Sequence, residues 1–323
     1  MDDHDHAGAP PLLAGIELGG TKAIAVLARG REIVARESVP TSADPAATLA
    51  AVCSVIARWH LASPISGPIS GPISGPVSGP VSGPVSAIGI ASFVPVGLRA
   101  GTPDYGHILK TTKPGWSGYD VLGTVAAAFD LPMVIDTDVN AAALAEERWG
   151  GSGGCRVHAY VTIGTGVGGG IVVDGVPLHG FLHPEIGHVR VPRVAGDDFA
   201  GACPFHGDCV EGLVAGPALA ARTGMRGEDI ADDHPVWGRV AQELGDFLAN
   251  ILLSFAPERI ALGGSVVLRR PQLIAAARRI VATRLAGYLP DHGGLPEDRI
   301  AVATLGTDAG PLGAIALAGR ALR

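Results

Sequence analysis

Three glycine-rich turns, one acidic residue opening a helix and one knot of cysteines and histidines are where this sequence could do chemistry. Glu17-Leu18-Gly19-Gly20-Thr21-Lys22 lies between two apolar runs. A P-loop would end in Lys-Ser or Lys-Thr and enter a helix, whereas here the order is Thr-Lys and a strand follows. The segment reads as a β-hairpin turn in which the N–H groups of Gly19, Gly20 and Thr21, the Thr21 hydroxyl and Lys22 can surround phosphate oxygens. Standing alone, it could equally be an ordinary Gly-Gly hairpin. A second turn, Thr162 to Gly170, carries five glycines in its last seven residues, with Gly164, Thr165 and Gly166 at its tip. Such density suits a backbone that approaches a ligand closely or turns through positive φ. A third, Gly263-Gly264-Ser265, falls between a strand and a helix, where a nucleotide base or ribose would fit.

Asp138 follows a strand end and opens a helix, a usual location for chemistry in α/β domains. Its carboxylate can accept a proton from an attacking hydroxyl, or it can simply cap the helix. Local sequence leaves both open. Glu185 and His188 lie three apart after Pro184, at a predicted helix start, so both can face one side. Carboxylate and imidazole together offer the acceptor and donor that a ligand's hydroxyls need, and Glu211 adds a third such group. Cys203, His206 and Cys209 form a compact soft-ligand cluster, with His188 upstream as a fourth donor. Two thiolates and two imidazoles suit a tetrahedral Zn²⁺. Four protein ligands leave no open position, so such a zinc is structural; a His188 nitrogen on the metal leaves the other to carry a proton toward substrate.

These groups need a scaffold of α/β type. Residues 12–27 read as strand, turn, strand, and 31–38 as a third strand. Helical spacing covers 46–60, introduced by Asp44-Pro45. Strands are predicted over 87–92 and 132–135, and helices over 118–129 and 138–149. The pattern then repeats: strands at 157–163 and 170–173, a long helix at 235–255, strands at 259–262 and 299–305, and a last helix at 310–322. Strands followed by helices, twice over, predict two α/β domains, each opening with a glycine-turned hairpin. The expected division is a flexible tail over 1–11, an N-terminal domain over 12–136, a C-terminal domain over 137–307 with the zinc loop, and a helix over 308–323 returning to the first domain. Residues 65–86 repeat Ile/Val-Ser-Gly-Pro. Proline every fourth residue forbids helix and central strand there, so the repeat reads as an insert in a surface loop, which costs little.

Composition narrows the function. The chain of 323 residues is 47% hydrophobic and 17% charged, enough for a large core. A net charge of −7 argues against nucleic acid as a partner. No apolar run reaches membrane-spanning length, and the start, Met1-Asp2-Asp3-His4, lacks a signal-peptide pattern. Four cysteines in a chain this long are no disulfide scaffold, so a cytoplasmic location is expected.

Two phosphate hairpins plus an adenosine turn are the arrangement of the two-domain actin-like ATPase (ribonuclease H-like) fold, with ATP in an interdomain cleft. The resemblance then becomes specific. Glu17–Lys22, Asp136 to Glu146, the turn at 164–170 and His183-Pro184-Glu185-Ile186-Gly187-His188 resemble the ROK family of sugar kinases and sugar-responsive repressors, in that family's order. Glu17, Lys113-Pro114-Gly115-Trp116 and the Cys203–Glu211 loop are similar to its fructokinase branch. The resemblance implies Asp138 as catalytic base, Asn140 as a sugar-hydroxyl contact, structural Zn²⁺ on His188, Cys203, His206 and Cys209, and transfer of the ATP γ-phosphate to the 6-hydroxyl of fructose. Mg²⁺ is expected from phosphate chemistry. Glucose or mannose is the alternative acceptor. A sugar-responsive regulator would need a DNA-binding domain before the first strand, where about a dozen residues stand. Family analogy also implies a homodimer.

Overall fold

The computed structural model describes residues 10–61, 83–290 and 296–323. Most of the predicted tail (1–9) and of the Ser-Gly-Pro repeat (62–82) lies outside the described residues. The described chain forms two compact units. The first takes residues up to Ala145, His179–His183 and Thr307–Arg323; the second takes Glu146–Leu178 and Pro184–Gly306.

The first unit begins with a meander, β1 (Leu12–Leu18), β2 (Lys22–Arg29) and β3 (Glu32–Pro40). Helix α1 (Pro45–Leu61) follows, its first turn closed by the Asp44 carboxylate accepting the Ala47 N–H at 3.1 Å. Next come β4 (Ala87–Ser92), α2 (Val121–Ala128), β5 (Met133–Thr137) and α3 (Asp138–Trp149). The sheet order is β3-β2-β1-β4-β5. The meander pairs are antiparallel, while β1, β4 and β5 run parallel. α2 is shorter than the predicted 118–129, because Gly118 sits at φ +79° and Asp120 caps the helix by accepting the Gly123 N–H at 2.7 Å.

The second unit repeats the plan. β6 (Val157–Ile163), β7 (Val167–Val173) and the short β8 (Val176–Pro177) form its meander. α4 (Val210–Val214), α5 (Gly216–Thr223), α6 (Val236–Phe255), β9 (Arg259–Gly263), α7 (Ser265–Leu268), α8 (Pro271–Leu285) and β10 (Ile300–Val302) complete it. Its sheet order, β10-β9-β6-β7-β8, is the first unit's order read from the other edge. β7 takes in Val167, Gly168 and Gly169, which the sequence reading leaves in the turn. The last strand is shorter than predicted. α8 is an addition: its apolar stripe of Leu273, Ile274, Ala277, Val281 and Leu285 is buried but diluted by Arg278, Arg279 and Arg284.

Each unit has its own apolar core. Ile16, Leu18, Leu49, Ile56, Ile88, Ile90 and Trp116 centre the first; Val161, Ile163, Leu213, Phe247 and Leu262 centre the second. The last helix, α9 (Ala309–Arg320), belongs to the first unit and lies on β1 and β4. It approaches closely because Gly15 and Gly89 on the sheet meet Ala314 and its neighbours on the helix. A Cβ on Gly89 would lie 2.0 Å from the Ala314 carbonyl oxygen, and one on Gly15 2.7 Å from the Ala314 Cβ. This contact lies directly beneath the strands that carry the first glycine turn and Asp138.

Gly89→Ala should therefore force α9 off the sheet. The expected loss is about 1–3 kcal/mol of stability, as for overpacking elsewhere, read as a lower urea midpoint at unchanged m-value.

Candidate active site

In the first unit the parallel strands end in register, with Leu18 opposite Ser92 and Ser92 opposite Thr137. The first glycine turn, the loop after β4 and Asp138 thus stand along one edge of one sheet, at the carboxyl ends where α/β sheets bind ligands. Gly20, Thr21 and Lys22 are exposed. The turn is closed by the Gly19 N–H donating to the Lys22 carbonyl at 3.0 Å. Thr41, after β3, holds it from outside: its hydroxyl donates to the Gly19 carbonyl at 2.8 Å and its N–H to the Thr21 carbonyl at 3.0 Å.

Asp138 is the first residue of α3, its Oδ1 accepting the Val139 N–H at 2.9 Å. Burial, and secondarily the Glu17 carboxylate, push its carboxyl up to about 7. Glu17, next to last in β1, lies against the start of α9: a Cβ on Gly310 would lie 2.4 Å from its Oε1. Burial raises its pKa too, against the pull of Arg36 and Lys22. Its Oε2 is buried with no hydrogen-bond partner among the described residues.

Asn140, two residues further along α3, is buried, its N–H capped by the Thr137 hydroxyl at 3.0 Å. Its Nδ2 donates to Asp136 Oδ1 at 2.7 Å, while its Oδ1 has no partner among the described residues. His179 completes the cluster, Nε2 lying 3.0 Å from Asp136 Oδ2, and that hydrogen bond raises the histidine's pKa. A carboxylate beside Nδ2 fixes the amide so that Oδ1, an acceptor, stays available. Nothing local in the sequence marks His179: it is a lone histidine forty residues from its partners. His183, likewise buried, accepts the Val96 N–H on Nε2 at 3.2 Å and so anchors the loop after β4. Trp116 is a core residue of the first unit, packed edge-on to Phe93 with ring centroids 5.2 Å apart.

In the second unit, Thr162 pairs with Gly263, so the second and third glycine turns also share one sheet edge. They nearly touch. A Cβ on Gly264, at φ +87°, would lie 2.3 Å from the Ile163 carbonyl oxygen. The second turn is closed by the Gly164 N–H donating to Gly166 at 2.9 Å, and the Gly164 carbonyl accepts the Gly216 N–H at the start of α5 at 2.8 Å. Beside it opens a cavity of about 360 Å³, lined among others by Gly164, Thr165, Pro217, Trp237, Ser265 and Arg269. Arg270 stacks on Trp237 there, 4.1 Å from the ring centre. Neither Trp237 nor these arginines carry a motif that the sequence could announce.

The predicted helix at Pro184 is a single 3₁₀ turn over Ile186–His188. It packs flat on β7 because Gly187 has no side chain: a Cβ there would lie 1.8 Å from the Val167 carbonyl oxygen. Glu185 and His188 flank that contact. Glu211, on α4, accepts the Val167 N–H at 3.1 Å, tying it to the base of the second turn.

His188, Cys203, His206 and Cys209 come together, their ligand atoms all within 4.8 Å of one another. His188 Nδ1 lies 3.5 Å from Cys209 Sγ and 3.7 Å from Cys203 Sγ, and His206 Nδ1 lies 3.7 Å from Cys203 Sγ. Ordinary Zn–S and Zn–N bonds in a tetrahedron give edges of roughly 3.3–3.8 Å, so this donor set fits Zn²⁺. Burial holds the Cys209 thiol up at about 11, and a divalent cation is what would stabilise two buried thiolates. Because Nδ1 of His188 faces the sulfurs, its Nε2 is the atom left to donate elsewhere.

A model of the ROK family matches residues 80–321. A fructokinase from Pediococcus pentosaceus is 38% identical over 315 residues, covering 97% of this chain and 99% of that protein. Among solved structures, the ROK hexokinase from Thermus thermophilus matches with a TM-score of 0.76 at 25% identity, over 96% of this chain and 99% of its own. A ROK family glucokinase from Streptomyces griseus, solved in complex with glucose and AMPPNP, gives a TM-score of 0.70 at 25% identity over the same shares.

Proposed function

The chain belongs to the ROK family, and we infer from that membership and from its own residues that it is an ATP-dependent sugar kinase acting on fructose. The observation that carries the reading is the sheet edge on which a glycine turn and the near-neutral Asp138 stand together, in a chain similar to fructokinases over almost its whole length.

The roles follow from the chemistry of each group. N–H groups of Gly20–Lys22 and of Thr165 and Gly166 are donors for the ATP phosphates, with Gly19 and Gly164 closing the two turns, and Gly263, Gly264 and the cavity beside them take the nucleoside. Asn140, through its free Oδ1, and Glu185, His188 and Glu211 are the hexose ligands. Asp138 takes the proton of the 6-hydroxyl while that oxygen attacks the γ-phosphorus and the bond to the ADP oxygen breaks. A carboxyl near 7 suits this task, since it is ionised enough to accept a proton and basic enough to keep it. Glu17, with its buried oxygen unpartnered among the described residues, is an oxygen donor available to Mg²⁺. That ion, when bound, neutralises charge developing on the phosphates.

Zinc on His188, Cys203, His206 and Cys209 is structural in this reading. It would fix the imidazole through Nδ1, leaving the Nε2 proton to donate to a sugar hydroxyl.

Steady-state kinetics with ATP should give a higher kcat/KM on fructose than on glucose or mannose, and a preference for either of those would overturn the acceptor. Asp138→Asn should lower kcat by about 10²–10⁴-fold without loss of folding. The base works deprotonated, so kcat/KM should fall about tenfold per unit as pH drops below about 7 and level off above it; a rate flat from pH 5 to 8 would exclude Asp138 as a base titrating there. Elemental analysis should find one zinc per chain, and chelation should raise the KM for fructose. Unchanged kinetics in protein shown to be zinc-free would separate the metal from the sugar site.

A further inference from the structure

The Lys113-Pro114-Gly115-Trp116 stretch has no part in the reaction described so far, yet it is fastened to the segment behind the first glycine turn at successive residues. Lys113 Nζ donates to the Thr41 carbonyl at 3.3 Å. Trp116, fully buried, donates through Nε1 to the Ser42 carbonyl at 2.8 Å. Gly115, at φ +81°, lies so close to Ala43 that a Cβ would stand 2.1 Å from the Ala43 carbonyl oxygen. The same Lys113 ammonium also donates to the carbonyl of Gly20, at the tip of the turn.

That last bond changes what the turn can do. Three successive carbonyls, of Gly19, Gly20 and Thr21, now have donors: the Thr41 hydroxyl, the Lys113 ammonium and the Thr41 N–H. Across a trans peptide the N–H of each following residue points opposite to the carbonyl before it. Holding these carbonyls toward Thr41 and Lys113 therefore directs the N–H groups of Gly20, Thr21 and Lys22 away from them. Without Lys113 the Gly20–Thr21 peptide, exposed and flanked by a residue lacking a side chain, can rotate and offer a carbonyl where an anion needs a donor.

We infer that Lys113 is a positioning residue for phosphoryl-donor binding, locking the Gly20–Thr21 peptide with its N–H presented to the nucleotide phosphates. The inference rests on the kinase reading. It gives the Lys-Pro-Gly-Trp stretch a task distinct from that of the exposed Lys22. An ammonium has three donors, and two are spent on backbone carbonyls, so its part is played through the backbone.

The test compares wild type with Lys113→Met, Lys113→Arg and, as a neighbouring surface control, Lys110→Met. Each is measured for AMPPNP affinity by calorimetry and for the KM of ATP and fructose separately. Lys113→Met should weaken AMPPNP and raise the KM for ATP by about tenfold or more, with the KM for fructose within about twofold of wild type. Lys113→Arg, which can donate to both carbonyls, should recover most of the loss, and Lys110→Met should match wild type. Should Lys113→Met fail to fold, Lys113→Gln carries the same test, with the loss again confined to the nucleotide. Wild-type AMPPNP affinity in a folded Lys113→Met or Lys113→Gln protein, equal losses for ATP and fructose, or an arginine variant as weak as the methionine one would overturn the inference. Wild-type protein that neither binds AMPPNP nor phosphorylates fructose would instead overturn the kinase reading itself.

Discussion

A backbone can bind an anion only if its carbonyls are held elsewhere. Every trans peptide carries a donor and an acceptor in opposite directions, and an exposed glycine turn is free to present either. The first turn settles this by giving the Gly19, Gly20 and Thr21 carbonyls fixed donors from Thr41 and Lys113. The second turn does it with its own backbone and with α5: Gly164 and Gly166 bond across the tip, and the Gly216 N–H takes the Gly164 carbonyl. Different residues achieve the same end. The remaining chemistry, a carboxyl with a raised pKa beside one turn and a cavity walled by Trp237 and arginines beside the other, has use only if those donors stay in place.

The two units repeat one topology, and in each the turns stand where parallel strands end in register. What makes this register serviceable is close backbone approach. Gly89 lets α9 rest on β4, Gly187 lets the Glu185–His188 segment rest on β7, and Gly264 sets the third turn against the end of β6. A methyl group at any of these would separate surfaces whose spacing fixes Glu17, His188 or the cavity wall. The high glycine content of the chain is in this respect a packing device as much as a turn device. The cluster of His188, Cys203, His206 and Cys209 gathers the loop before α4 in a similar way.

Much of the scaffold is legible in the sequence because its signals are local. A Gly-Gly pair between apolar runs marks the β1–β2 hairpin, and the three- and four-residue spacing of apolar residues after Pro235 marks α6. The ROK resemblance rests on motifs that are contiguous in the chain, and Asp138 and the Cys-His loop lie within them. α8 goes unread because arginines interrupt its buried stripe, so its helical period is plain only once its partner α6 is known. The glycines of β7 look like turn residues and are strand, since β6 supplies the hydrogen bonds that outweigh their weak propensity. Partnerships across long separations leave no local trace: His179 with Asp136, His183 with Val96, Lys113 with Gly20. Each is a single polar side chain whose meaning depends on which backbone the fold brings to it.

The account makes one demand that can be measured at the backbone itself: the amides of both glycine turns are donors to one nucleotide. Hydrogen–deuterium exchange of the peptides spanning Gly19–Lys22 and Gly164–Gly166, with and without AMPPNP in the presence of fructose, tests this directly. Slower exchange in both turns, saturating at the same AMPPNP concentration, is the predicted result. Protection of only one turn, or of neither while AMPPNP is demonstrably bound, would contradict it.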